Sequence, residues 1–238
     1  MTPGNARVLV VGAGGIGCPA ALALAHAGVG TLALADDDEV ERSNLHRQIL
    51  FDDADVGARK TTAAAGALRR EVPGVVVVDV GHRVLPTNAV DTVGAYDLVL
   101  EGSDNFATKF LVADACHLAG VPVVQAAAVR WHGTVLASVR GGRPCYRCVF
   151  EDPPTGDAVP NCAEAGVMGP VVGVVGALAA DLALAILRGD DVAGTLVSFD
   201  GKLGSVRSRR MRPRASCPLC GNDGRISSVL GVRYEGTP

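Results

Sequence analysis

Two pairs of cysteines carry the plainest chemical signal. Two residues separate Cys145 from Cys148, and Cys217 and Cys220 repeat that spacing. Each pair sets two thiols on one tight turn, and four thiolates suit a tetrahedral Zn²⁺. Their wide separation makes such a metal a staple between the tail and the middle of the chain, a structural role. The competing reading is four unrelated thiols or a redox pair. Of the remaining cysteines, Cys18 and Cys116 lie in apolar helical stretches and read as small core residues. Cys162 differs. It follows a stretch rich in Pro, Asp and Gly, 151–160, which is a candidate mobile loop. A thiol placed there is a candidate nucleophile. Seven cysteines in a chain with no export signal point away from disulfides.

A second group is built for phosphate. Gly12-Ala13-Gly14-Gly15-Ile16-Gly17 follows the apolar run Val8–Val11 and precedes an alanine-rich stretch, Cys18–Ala27. Strand, glycine turn and helix aim backbone N–H groups at an anion. Asp36, ending the run Thr31–Ala35, can accept hydrogen bonds from ribose hydroxyls. An ordinary dinucleotide fold would continue directly into a helix. Here Asp36 is followed by a polar segment through Ser43, Asn44, Arg47 and Gln48, then Ile49-Leu50-Phe51, which can anchor it. Arg47 offers a planar fork for phosphate oxygens and Lys60 a point charge. Asp104 can hold Mg²⁺, and Asn105 lies beside it. A triphosphate needs cations and usually Mg²⁺, whereas a pyrophosphate sits on a helix end with little help. The plainer readings are surface charge for Arg47 and Lys60, and a helix N-cap for Asp104.

These groups need a frame. Apolar runs at Val8–Val11, Thr31–Ala35, Val75–Val80, Asp97–Leu100 and Pro122–Ala126 alternate with helical stretches Cys18–Ala27, Gly57–Arg70, Ala89–Val93 and Phe106–Ala119. The continuous β-branched run Val75–Val80 reads as a buried strand. The alternation predicts an α/β fold with a Rossmann-like parallel sheet and helices on both faces. Later runs, Trp131–Arg140, Thr195–Phe199 and Ser205–Arg210, predict an antiparallel extension crossed by a helix from about Pro170 to Arg188. A single domain over 1–238 follows, with a nucleotide-binding half, 1–126, and an extension, 127–238, holding the zinc staple.

The composition narrows the partners. Nearly half the residues are hydrophobic, at 48%, and the net charge is −3, so no basic excess argues for nucleic acid or an anionic membrane. Arginines 207, 209, 210, 212 and 214 read as a solvated or ion-paired edge. The run 167–187 imitates a membrane span, yet it contains Pro170, Asp181 and three glycines and reads as a core helix. Met1–Arg7 is polar, so no signal peptide and a cytoplasmic location are expected.

The set in this order resembles the ThiF/MoeB/HesA family of ubiquitin-activating-enzyme-like adenylyltransferases. The resemblance runs from about Arg7 to Gly221. It rests on Gly12–Gly17, Asp36-Asp37-Asp38, Ser43–Gln48, Lys60, Ser103-Asp104-Asn105, the segment 161–170 and both cysteine pairs. Leu34–Asp38 through Phe51, with Phe199–Lys202, is most similar to the ThiF branch of thiamine biosynthesis. The resemblance implies ATP-dependent adenylylation of the C-terminal glycine of a ubiquitin-fold sulfur carrier ending in Gly-Gly. Another sulfur pathway, such as that of a molybdopterin-synthase-type carrier, uses the same chemistry. By position it implies nucleotide contacts at Gly15, Asp36, Ser43, Asn44, Arg47, Lys60, Asp104 and Asn105; the glycine turn itself adds Gly12, Gly14 and Gly17, and Gln48 can add a neutral hydrogen bond. Magnesium would sit on Asp104 and a covalent carrier link on Cys162. It also implies a homodimer, structural zinc, and sulfur from a separate donor such as a cysteine desulfurase. The family's usual N-terminal helix with an Arg-x-x-Arg-Gln-like segment has no counterpart before Arg7. Two functions of other classes compete: an NAD-dependent oxidoreductase, and a carrier-binding module without chemistry.

Overall fold

The computed structural model describes residues 2–139, 141–153, 166–222 and 224–234. Its frame is one sheet of eight strands: β1 (Arg7–Val11), β2 (Thr31–Ala35), β3 (Val76–Asp79), β4 (Leu98–Glu101), β5 (Val123–Val129), β6 (His132–Ser138), β7 (Thr195–Asp200) and β8 (Ser205–Arg210). Their order is β3-β2-β1-β4-β5-β6-β7-β8. The first five are parallel, and β5 to β8 are antiparallel. The order reverses between β1 and β4, and ligands of open α/β sheets bind beyond the carboxyl ends of strands at such a switch point.

Helices cover both faces. α1 (Gly17–His26), α2 (Lys60–Glu71) and the long apolar helix Gly169–Arg188 pack on one side; α3 (Ala89–Gly94) and α4 (Phe106–Ala119) pack on the other. A single turn, α5 (Tyr146–Val149), lies within the first cysteine pair, and the long helix is α6. Small residues let α6 come close to its neighbours. A Cβ on Gly176 would stand 2.6 Å from Pro19 Cγ, and one on Gly133 would stand 2.1 Å from Val175 Cγ2. α6 is long and apolar enough to cross a membrane. Its Val171, Val175, Ala179 and Ala183 are buried in the core against α1, β5 and β6, as expected of a core helix.

Two expectations are corrected. The run Val75–Val80 is not a strand buried on both faces. β3 is an edge strand paired with β2 alone, and Val76 and Val78 are exposed. An edge strand needs apolar residues only where a helix covers it. α2 begins at Lys60, three residues later than composition indicated. Gly57 adopts φ +87°, the Ala58 carbonyl accepts from Val40, and the chain becomes helical only where the Asp38 carbonyl accepts from the Lys60 amide.

A buried ionic knot ties the second half to α4. Arg147 of α5 is wholly buried, and its guanidinium donates Nε to Asp114 Oδ1 at 2.8 Å and Nη2 to Asp114 Oδ2 at 3.0 Å. Tyr234, near the C-terminus, donates its hydroxyl to Asp114 Oδ2 at 2.6 Å. Burial opposes the charge on Arg147, but the bonds and charge of Asp114 outweigh it and raise its pKa. Removing Asp114 would take away the buried counter-charge and leave Arg147 only the exposed Asp152, whose Oδ1 it meets at 2.8 Å. Asp114→Ala should therefore lower unfolding free energy by about 3–5 kcal/mol. Tyr234→Phe should cost only about 1 kcal/mol in the same urea titration. Equal losses from the two would show that the Arg147 charge is not what Asp114 compensates.

Candidate functional site

At the switch point the loops after β1 and β4 touch. Gly12 adopts φ +90°, and a Cβ there would stand 2.9 Å from the amide nitrogen of Ser103. Only glycine meets both demands. A cavity of about 570 Å³ opens beyond these loops, within the range of small-molecule sites. Gly12, Gly14, Gly15, Asp36, Asn44, Arg47, Gln48, Lys60, Asp104 and Asn105 all line it. The glycine turn, the polar segment and the β4 loop thus converge as expected.

The donors are arranged for an anion. Among the described residues, the amides of Gly14, Gly15 and Ile16 donate no hydrogen bond within the chain. They lie at the start of α1, where the helix dipole favours negative charge. Arg47 lies against Gly15, where a Cβ would come within 3.3 Å of its Cγ. Its guanidinium donates to Asn44 Oδ1 at 2.6 Å, so Asn44 holds Arg47 in place. Lys60 is buried at the first turn of α2 and donates Nζ to Asp38 Oδ2 at 2.6 Å. Gln48 is buried, and its Oε1 has no partner among the described residues. An unpaired buried amide oxygen beside the glycine turn fits a group that a ligand would satisfy.

The acidic residues divide by environment. Asp36 accepts from the Ala13 amide at 2.7 Å and the Asp38 amide at 2.9 Å. Burial raises its carboxyl pKa above the ordinary value, while Lys60 and these two amides pull it back. The unfolded chain then ionises at lower pH than the folded one. The resulting stability penalty is absent below the unfolded pKa and grows as pH rises to the folded value. Asp104 is exposed and makes no hydrogen bond or ion pair among the described residues. The capping role belongs to Asn105, whose side-chain oxygen accepts from the Thr108 amide at 2.7 Å. Asp104 is therefore free to face the cavity.

Three sequence expectations are not joined to this cluster. Gly17 does not line the cavity; a Cβ there would stand 1.8 Å from the Gly12 carbonyl oxygen, so its part is packing. Ser43 also lies off the cavity, with its hydroxyl donating to Glu41 Oε2 at 3.0 Å. Cys162 lies outside the described residues. The sequence reading missed Arg83, which lines the cavity and pairs with Asp37 at 3.7 Å. It also missed a buried pair beneath the β4 loop, Glu101 and Lys109. The signal was a glutamate closing an apolar strand and a lysine in the first turns of a mostly apolar helix.

The second cluster forms as expected. Cys145 and Cys217 bring their sulfurs to 3.5 Å, Cys148 and Cys220 to 3.3 Å, and all four lie within 4.8 Å of one another. Thiolates on a tetrahedral zinc at ~2.3 Å stand roughly 3.8 Å apart, so the spacing fits an ion of that kind. Burial disfavours the thiolate at Cys217, yet the amides of Cys220 and Leu219 and the neighbouring thiols draw its pKa down to about 7. Burial instead raises Cys220 to about 11. Cys18 is a core residue, its thiol pushed by burial to about 12.

The ThiF family profile matches residues 4–219. A Sus scrofa protein named adenylyltransferase and sulfurtransferase MOCS3 is 45% identical over 235 residues, 98% of this chain and 51% of its own length. A Dictyostelium discoideum protein of the same name is 38% identical over 231 residues, 95% of this chain and 54% of its own. The chain spans about half the length of these curated relatives. Among solved structures, E. coli MccB in a crystal with MccA-N7isoASN superposes with a TM-score of 0.81 at 25% identity, covering 92% of this chain and 68% of that one.

The two glycine roles separate by mutation. Gly17→Ala drives a methyl into backbone and should cost on the order of 3 kcal/mol or more. At Gly14 the nearest atom to a new Cβ is Gln48 Nε2 at 3.9 Å, so Gly14→Ala should keep the fold. Urea unfolding of both variants compares them; equal stability would remove the packing role of Gly17.

Proposed function

The chain belongs to the ThiF family, and from that premise we propose that it uses ATP and Mg²⁺ to adenylate the C-terminal glycine of a ubiquitin-fold sulfur carrier. What supports this reading is the unpaired amides of Gly14–Ile16 beside Arg47 and Lys60, facing the partnerless carboxylate of Asp104 across one cavity. A redox dinucleotide has no need of that second set of charges.

In the reaction, a carboxylate oxygen of the carrier's last glycine attacks the α-phosphorus of ATP. The bond from that phosphorus to the bridging oxygen breaks, and pyrophosphate leaves with the electron pair. The acyl-adenylate is then open to a sulfur nucleophile. Asp36 accepts from the ribose hydroxyls. The amides of Gly14 to Ile16 seat phosphate oxygens, and Arg47 and Lys60 balance the charge that gathers on them as the leaving group departs. Lys60 exchanges Asp38 for phosphate on nucleotide binding. Asp104 would hold Mg²⁺, which supplies further positive charge to the phosphates. A carrier of the thiamine pathway and one of another sulfur pathway both fit this chemistry, and exchange measured with each carrier in turn decides between them. The four cysteines are assigned a structural zinc that staples 217–220 onto the α5 turn.

Labelled-pyrophosphate exchange into ATP should appear only with a Gly-Gly carrier present. Asp104→Ala should reduce it about 100-fold or more, the loss typical of removing a charge-stabilising group. Binding of NAD with no response to ATP and Mg²⁺ in calorimetry would falsify the reading.

Metal analysis of protein purified without chelator should give one zinc per chain. Cys217→Ser should lose it and unfold at lower temperature, while Cys18→Ser keeps it. Absence of zinc from the wild-type protein would sink the staple.

A further inference from the structure

Beneath the β4 loop lies a charged pair that the reaction above does not use. Glu101 ends β4 and Lys109 stands one turn into α4, both buried. Lys109 Nζ donates to Glu101 Oε2 at 2.8 Å and to the Ala126 carbonyl of β5 at 2.7 Å. The other carboxylate oxygen, Oε1, accepts from the Ser103 amide at 2.8 Å and from the Ser103 hydroxyl. Gln125 Nε2, from the β5 residue paired with Glu101, donates to the Lys109 carbonyl at 2.9 Å.

Stability gives a poor account of this arrangement. Burying two charges carries a desolvation penalty, and well-packed apolar side chains of similar volume often serve the fold equally well. The pair's location gives a better one. It joins three elements directly under the four-residue loop Gly102–Asn105. One carboxylate fixes the loop's entry through Ser103, and Asn105 fixes its exit by capping α4. Ser103 turns its hydroxyl inward to Glu101, and the next residue, Asp104, faces the cavity without a protein partner. Its carboxylate is free while its backbone is held on both sides. Gly12 lies against the Ser103 amide, so any shift of this loop meets the glycine turn as well.

We infer that Glu101 and Lys109 are positioning residues that set Asp104 for a divalent cation on the nucleotide; the inference rests on the reading of Asp104 as the Mg²⁺ carboxylate. Groups behind a metal-binding side chain tune affinity without touching the ion.

The test uses the full chain and the double variant Glu101→Leu/Lys109→Met, which replaces the pair by apolar side chains. Hydrogen–deuterium exchange across Gly102–Asn105, with no nucleotide present, should be faster than in wild type. Calorimetry should show ATP affinity with Mg²⁺ falling about tenfold, with Mg²⁺-free ATP affinity unchanged. Lys109→Arg alone, which keeps the charge beside Glu101, should leave both at the wild-type level. Unaltered exchange in the double variant overturns the inference whatever the nucleotide does. Asp104→Asn separates the two layers. If it leaves the Mg²⁺ dependence of ATP binding intact, the magnesium reading fails. If it abolishes that dependence and the double variant keeps it, the positioning role fails. Should the double variant not fold, Glu101→Gln keeps the shape, loses the charge, and carries the same readouts.

Discussion

The structure turns on a contact that leaves no room for a side chain. Where β1 and β4 diverge, the Gly12 backbone lies against Ser103, and Gly17 packs on the Gly12 carbonyl. Each glycine is fixed by a neighbour's backbone, so the turn cannot relax away from the β4 loop. That closeness brings the open amides at the start of α1 and the carboxylate of Asp104 to one cavity. Charges from further along the chain then fill its rim: Arg47 from the polar segment, Lys60 from the first turn of α2, and Arg83 from the loop after β3. The parallel half of the sheet supplies position, and the loops supply chemistry.

The second half does different work. The antiparallel strands extend the sheet, α6 covers one face, and the cysteine cluster gathers distant segments beside α5. Asp114 is the point where these parts meet α4, the helix whose first turn is capped by Asn105 next to Asp104. One helix therefore carries a cavity-facing loop at its start and a structural knot at its middle.

Much of this was legible in the sequence, and the reason differs by feature. The glycine turn, Asp36 and the Cys-x-x-Cys pairs are local patterns whose spacing encodes geometry directly. The alternation of apolar runs and helical stretches was enough for the parallel half, because β1, β2, β4 and β5 are buried along nearly all their length. β3 was misread for the converse reason. Whether a strand lies at an edge depends on its neighbours, which Val75–Val80 does not record. Gly17 was grouped with its neighbours because spacing alone does not separate a glycine that admits a ligand from one that admits a carbonyl. The Glu101–Lys109 pair left two odd charges in apolar runs, but their meaning lies in Ser103, Gln125 and Ala126, which the fold alone assembles.

The arginines of β8 acquire a purpose from the topology. An open sheet of eight strands ends in two unpaired edges, and β8 is one of them, six residues long and exposed along nearly all its length. A strand of that kind offers its free backbone groups to any other chain. Arg210 is paired with Asp191, while Arg207 and Arg209 have no ion pair among the described residues and put two like charges along this border, so a second copy laid edge to edge would meet the same charges. The mixed sheet can stay wide without becoming a seed for aggregation, and the border needs no helix to shield it.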